Sequence, residues 1–324
     1  KHADMVKWNG KLEYTYTSER PENDVKTNKD TLVFRLEPTA EVNKNWDVHA
    51  RLDASTSMKY DRATGEKDND TNDGVTLKRA WAQGNYDKFT VKLGKMELTS
   101  AEAYTNAGAI VFDRDFSGAE VSFGKDLGVK LQAGQAKLKD TFGEYTNAGG
   151  VDVDFSRSHS ANYQGVELQY NKNNWMAGLA YYRLKTDAFK GYLKGDSTMM
   201  NIWAANLGYR FDDNVLLAGS YANNNKIDSS KMKKSYQIGL DYKGATSEDQ
   251  GSWGAYVAYR YLGAASANPT DDGAVWGTKG IELGTNYTVW KNVIVSAKYF
   301  KGKAIEQGTD DKFSKLFGRV EFLF

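Results

Sequence analysis

Hydrophobic and polar residues alternate along most of the chain, and most legibly at its end. Counting back from Phe324, the positions Phe322, Val320, Gly318 and Leu316 are apolar or small, while Glu321 and Arg319 stand between them. Successive side chains of a strand point to opposite faces, so residues 312–324 predict a strand with one oily face and one charged face. The same period returns in Trp175, Ala177, Leu179 and Tyr181, in Trp203, Ala205, Leu207, Tyr209 and Phe211, and in Tyr236, Ile238, Leu240 and Tyr242. It returns again in Trp253, Ala255, Val257 and Tyr259, and in Val293, Val295, Ala297 and Tyr299. An oily strand ending in an aromatic is an aggregation edge in water. It suits a sheet that closes on itself and meets lipid on its outside.

Taken in order, the chain reads as hairpins. Strand one runs from about Met5 to Thr17, with Trp8, Gly10, Leu12, Tyr14 and Tyr16 on one face and Lys7, Asn9, Lys11 and Glu13 on the other. The second turns Leu32, Phe34 and Leu36 outward and Val33, Arg35 and Glu37 inward; Asn43, Lys44 and Asn45 then supply tight-turn chemistry. The third exposes Trp46, Val48, Ala50, Leu52 and Ala54 against His49, Arg51 and Asp53. In the fourth, Val75 and Leu77 share one parity and Ala80 and Ala82 the other, which predicts a bulge. Short turns near 43–45, 85–88, 125–128, 171–174, 212–214, 244–252 and 290–292 alternate with long loops near 18–29, 59–74, 98–115, 140–158, 184–198, 222–233, 262–278 and 301–311. Seven turns and eight loops in an up-and-down meander require sixteen strands, with both chain ends on the short-turn side. The expected fold is therefore all-β: one antiparallel sixteen-stranded transmembrane barrel spanning residues 1–324. A propeller would show a fixed repeat, and a sandwich need not keep short turns at one end.

Composition alters this picture only slightly. Mean hydropathy is −0.65 and no run approaches the ~18 apolar residues of a membrane helix, but alternation cancels the average in a membrane barrel. A net charge of +1 gives no reason to expect a nucleic-acid partner. There is no cysteine, and the histidines are His2, His49 and His159, scattered without metal-ligand spacing. Neither catalysis nor a cofactor is expected. Residues Lys1 to Asp4 contain no apolar leader segment, so a processed or trimmed chain is expected, with further domains upstream.

Sixteen strands enclose a water-filled lumen, and the inward positions agree in carrying charge of both signs, from Lys7, Glu13, Arg35 and Arg51 to Arg260, Glu282 and Arg319. The segment after strand five (Phe89, Val91 and Leu93 outward, Lys92 inward) stands apart. Where the other loops read as nearly all polar, this one holds Leu98, Tyr104, Ile110, Val111 and Phe112, and such residues require a surface to pack on.

The terminal Phe324 strand, the strand count and this third loop together resemble the trimeric general-diffusion porins of bacterial outer membranes. That resemblance implies a third loop folded into the lumen. Glu97, Glu102, Asp113 and Asp115 would then form the acidic side of a constriction, facing Arg35, Arg51, Arg79 and Lys92 on the wall. It also implies a homotrimer in outer-membrane lipid or lipopolysaccharide, with long loops extracellular and both termini periplasmic. Small hydrophilic solutes and ions would pass by diffusion. The runs Arg79-Ala80-Trp81-Ala82-Gln83-Gly84 and Lys92-Leu93-Gly94-Lys95-Met96-Glu97-Leu98 resemble, more narrowly, the OmpM-type porins of diderm Firmicutes. In those, an S-layer-homology domain tethers the barrel to peptidoglycan, a partner reached here only through a domain missing from this chain. The rival expectation is a substrate-specific channel for a sugar, peptide or anion.

Overall fold

A computed structural model describes residues 6–58, 74–138, 145–146, 152–153, 160–306 and 311–324. The expected 59–74 loop and most of the 140–158 loop lie outside the described residues. Sixteen antiparallel strands form one closed barrel, each paired with its neighbours in sequence and the last with the first. They are β1 (Val6–Pro21), β2 (Thr27–Glu41), β3 (Trp46–Thr56), β4 (Gly74–Asn85), β5 (Phe89–Thr99), β6 (Asp113–Phe123), β7 (Leu127–Lys137) and β8 (Ser160–Lys172). They continue as β9 (Trp175–Lys185), β10 (Met199–Arg210), β11 (Val215–Asn224), β12 (Lys234–Lys243), β13 (Trp253–Tyr261), β14 (Thr278–Trp290), β15 (Val293–Ala304) and β16 (Lys312–Leu323).

Closure is made by backbone pairing at both ends of the seam. Leu12 faces Phe322 and Pro21 faces Phe313, while Gly10 and Phe324 exchange hydrogen bonds of 2.9 and 3.0 Å. The Phe324 ring stacks on Phe34 of β2, 6.0 Å away, across the outer face of β1. Glycine is required at position 10 because a Cβ there would strike the Arg35 carbonyl and the Phe324 ring. Leu323 N donates to Asn292 O, which puts the C terminus at the short-turn end.

The alternation sorts faces as expected. Trp8, Phe34, Leu179, Leu207, Ile238 and Leu283 are exposed on the outside, whereas Glu13, Asp53, Glu167, Gln237 and Glu282 are buried on the inside. The expected bulge in β4 is present: Arg51 pairs with Arg79 and Leu52 with Leu77, leaving Lys78 as the extra residue.

Two expectations need correction. The loop read at 18–29 is only residues 22–26, because β1 and β2 pair as far as Glu19 opposite Thr27. Both strands are polar on both faces there, and Asn28 Oδ1 accepts hydrogen bonds from Ser18 and Arg20. A ladder that continues beyond an apolar environment loses its alternation, so composition reads it as loop. The second correction concerns the 262–278 segment. It is a loop at the expected place but not one of the nearly all-polar loops: Leu262, Ala264, Ala265 and Ala267 are buried, and the segment packs inside the barrel mouth.

Candidate functional site

The hairpin β5–β6 leaves the wall at its upper end. Its ladder to β4 stops at Ala80 opposite Lys95, and its ladder to β7 stops at Ser117 opposite Gln135. Beyond those points, residues 96–99 and 113–116 pair with each other and no longer with β4 or β7. The freed tip folds across the lumen, because Met96, Leu98 and Phe116 then find partners there. Phe116 meets Tyr163 of β8 at 5.3 Å, and Phe112 meets Tyr163 and Tyr182 of β9 edge-on at 5.9 and 5.0 Å. All six side chains, Met96 and Leu98 included, are essentially fully buried.

The loop itself, residues 100–112, is fastened to the opposite wall by specific bonds. Tyr104 Oη donates to Asn206 on β10 (3.0 Å), Asn106 N to Asp241 on β12 (2.9 Å), and Gln237 Nε2 to Thr105 (3.1 Å). Burial, with Glu102 close by, pushes the Tyr104 hydroxyl up to about 12, so it remains a donor at any physiological pH. Gly108, at φ 90°, lies where a Cβ would strike Thr270.

That contact introduces the second inward segment. Residues 109–113 and 268–270 run side by side: Asn268 N donates to Val111 O, Asp113 N to Asn268 O, and Thr270 N to Ala109 O. One side chain ties both segments to the wall. Arg260 of β13 is fully buried and donates to Gln237 Oε1 (2.6 Å), Thr270 O (2.9 Å), Ala109 O (3.1 Å) and Glu282 Oε1 (3.3 Å). Glu282 in turn accepts from Tyr256 Oη and from Ala274 N. Asp272 of the same segment bonds Lys298 at 3.1 Å. Burial works against its charged form, but Lys298 and Arg319 outweigh it and hold the carboxyl below the usual carboxylate range. The sequence carried a signal for this second segment in its apolar residues 262–267 and 274–276. It carried none for the Arg260 network, which depends on which strands become neighbours.

The expected constriction residues are brought together in part. Arg79 forms an ion pair with Asp115 and lies 3.7 Å from Glu97. By alternation Glu97 and Asp115 share the outward parity of Leu93 and Ala119, and the departure of the hairpin from the wall is what brings them to Arg79. Arg35 and Arg51 both bond Asp53 at 2.9 Å on the wall and do not touch the loop. Lys92 pairs with Glu120 lower on the barrel, at 3.7 Å. Asp113 accepts from Thr270 Oγ1.

Glu102 is placed differently. It is buried within the loop, where one oxygen accepts from Ser100, Ile110 N (3.0 Å) and Val111 N (3.1 Å). Burial raises its pKa above 4.5 in spite of these bonds. The sign follows: its stabilisation of the folded loop is complete below the ordinary value near 4.5 and is lost as pH rises through the raised one. Glu102→Gln keeps the acceptor oxygen and should hold the loop closed at neutral pH. Glu102→Ala orphans two buried N–H groups at about 1–3 kcal/mol each and should loosen it. Cleavage within residues 100–112 by a protease reads the difference.

The lumen is thus divided. The inner faces of β8 to β11 carry an apolar cluster with Phe189, Leu193, Ile227 and Met232 from the mouth loops. The inner faces of β1 to β4 and β16 carry charge instead. Lys11 lies 2.8 Å from Glu13 and 3.4 Å from Glu321, and Arg319 lies 3.2 Å from Glu13.

No protein-family model matches the chain, and no curated protein matches it either. Solved structures do. The high-pH structure of Pseudomonas putida OprB superposes with a TM-score of 0.69 at 14% identity, covering 99% of this chain and 95% of that one. A multiply substituted variant of the Rh. blastica porin gives 0.57 at 15% identity, over 99% and 100% of the two chains. Such identities show a shared barrel fold.

Proposed function

We propose that this barrel is a water-filled outer-membrane channel through which ions and small hydrophilic solutes diffuse passively. The observation that carries this is the hairpin tip folded across the lumen, with Glu97 and Asp115 presented to Arg79 and to the charged wall beyond it. Opposite charges facing one another across a narrow aqueous gap produce a transverse field that orients dipolar solutes.

The exterior supports the membrane setting. From Ile281 to Trp290, at about 3.3 Å per residue and a tilt near 40°, the exposed apolar band of β14 rises roughly 23 Å, close to the height lipid-facing bands have. The long loops would face outward and both termini the periplasm. Gly10, Ala50, Ala54, Ala80 and Ala82 make the outer face of β1 to β4 a surface on which copies approach closely, consistent with a homotrimer. The kinship with porins resembling the S-layer-homology-tethered kind rests on the Arg79–Gly84 and Lys92–Leu98 runs alone. A substrate-specific channel would use an aromatic slide or a ladder of one sign, and the mixed sign of the lumen speaks against the ladder.

Planar-bilayer recording tests the proposal. Ohmic steps with weak ion selectivity, together with swelling of liposomes in neutral sugars, are expected. The absence of steps overturns the channel reading, and saturating block by one low-concentration solute replaces diffusion with specificity.

A further inference from the structure

Inside the barrel, the wall from β13 to β16 and the two inward segments enclose a recess of about 260 Å3, to which Asn106 and Asp272 contribute from the segments. Strand register explains the hollow. Gly284 lies between Tyr256 and Lys298 on one inward row, and Asn286 and Ser296 lie between Gly254 and Arg319 on the next. Small residues in mid-row leave a gap flanked by long charged side chains. The Tyr256 ring lies over Gly284, where a Cβ would strike it, and its hydroxyl is fixed by donation to Glu282.

The recess offers a solute charge of both signs rather than ring faces. Lys298 Nζ lies 5.9 Å from the Tyr256 ring and 5.5 Å from the Phe317 ring, and the Arg319 guanidinium covers Phe317 at 4.8 Å. Phe317 is 2% exposed, whereas the side chains of Arg319 and Glu321 are 26% and 20% exposed. The ions balance. Lys298 pairs with Asp272 (3.1 Å), Lys11 of β1 with Glu13 (2.8 Å) and Glu321 (3.4 Å), and Arg319 with Glu13 (3.2 Å). Toward the long loops, Lys315 is taken by Glu19, and Glu282 of β14 by Arg260. Three cations, Lys11, Lys298 and Arg319, therefore face three acids, Glu13, Asp272 and Glu321. Hydrogen-bonding capacity remains beside them. Among the described residues Arg319 hydrogen-bonds through Nε, to Thr15 (2.9 Å), and the Ser296 hydroxyl has no partner. Asn286 uses Oδ1 to accept from Ala245 N (2.9 Å), which leaves its Nδ2 as a donor.

We propose that this recess is a binding station for small zwitterions of the α-amino-acid class, an inference that rests on the channel reading above. The solute carboxylate docks on the planar donor fork of Arg319. Its ammonium docks on Glu321, the next inward position of β16, about 6.8 Å along the strand. Ser296 and Asn286 meet a short polar side chain. A solute of one sign upsets the balance of the six ions, and a zwitterion does not. A water takes up about 30 Å3 of liquid, so the recess has room for about nine, which suits one amino acid but not a drug-sized ligand.

The test uses the whole detergent-solubilised chain and ligand-observed saturation-transfer NMR with L-serine as the probe. Lactate lacks the ammonium and ethanolamine lacks the carboxylate, and each should bind at least about tenfold more weakly than serine. Arg319→Gln and Glu321→Gln should each weaken serine by about the same factor. Ser296→Val alters no charge and narrows the recess, so it should weaken serine even if a charge variant fails to fold. A control that breaks a rim ion pair, Lys172→Gln with Asp126→Asn, should bind serine as the parent does. Serine binding no tighter than that of lactate or ethanolamine, or unchanged in Arg319→Gln, Glu321→Gln and Ser296→Val, overturns the assignment. Single-channel conductance without serine is recorded on the same preparations. Steps without serine binding sink this inference and leave the channel; serine binding without steps sinks the channel and leaves the site.

Discussion

Replacing Arg260 with Met should raise single-channel conductance at least about twofold while the barrel stays closed. Its guanidinium holds both inward segments, through Ala109 O and Thr270 O, and neutralises the buried Glu282 carboxylate. Removing one partner of a buried ion pair costs about 3–5 kcal/mol, because the other charge is left stranded. The wall is secured by continuous ladders on either side of β13, from Tyr236 opposite Tyr261 to Trp253 opposite Tyr287. The segments at 109–113 and 268–270 have no comparable support, so the strain is released there. Arg260→Lys should fall between parent and Met, since an ammonium cannot span four acceptors on four elements. Adding Glu282→Gln to Arg260→Met should restore part of the closure by removing the stranded charge. A conductance unchanged in Arg260→Met would show that the loops are held by the apolar cluster alone.

Opposite neutralisations in the lumen should move ion selectivity in opposite directions. Glu97→Gln with Asp115→Asn leaves Arg79 uncompensated and should shift the reversal potential toward anions. Arg35→Gln with Arg51→Gln leaves Asp53 without its two partners and should shift it toward cations. Even at the dielectric constant of bulk water a unit charge acts on an ion 4 Å away with about 1 kcal/mol, or about fivefold in local occupancy. A constriction narrower than the ~10 Å screening length at 0.1 M salt preserves most of that effect. Exposed acids at the mouth serve as the control: Asp187→Asn with Asp196→Asn should change little. Equal shifts from lumen and mouth pairs, or shifts of one sign from both lumen pairs, would mean the hairpin tip does not line the path.

The sequence by itself determined the barrel. A two-residue period cannot be shifted by one position without exchanging every side chain between lumen and exterior. That constraint made strand number, meander order, seam and faces legible from Trp8 to Phe324, and the parity break between Leu77 and Ala80 was enough to locate the bulge at Lys78. The apolar residues of the third loop likewise showed that it would pack on something. What the tertiary structure decided is where the alternation stops governing. Glu97 and Asp115 carry outward parity, and they reach Arg79 only because β4 and β7 release the hairpin above Lys95 and Ser117. Ser18 and Asn28 read as loop because a strand beyond the apolar band has no oily face to display. Glu102 became an internal acceptor for Ile110 and Val111 rather than a lumen charge, and Arg260 became a tie between two loops. Both outcomes depend on residues more than a hundred positions apart or on the path of a folded loop. Local pattern carries no record of such contacts, because they form only once the closed sheet brings β13 opposite the tip of β5 and β6.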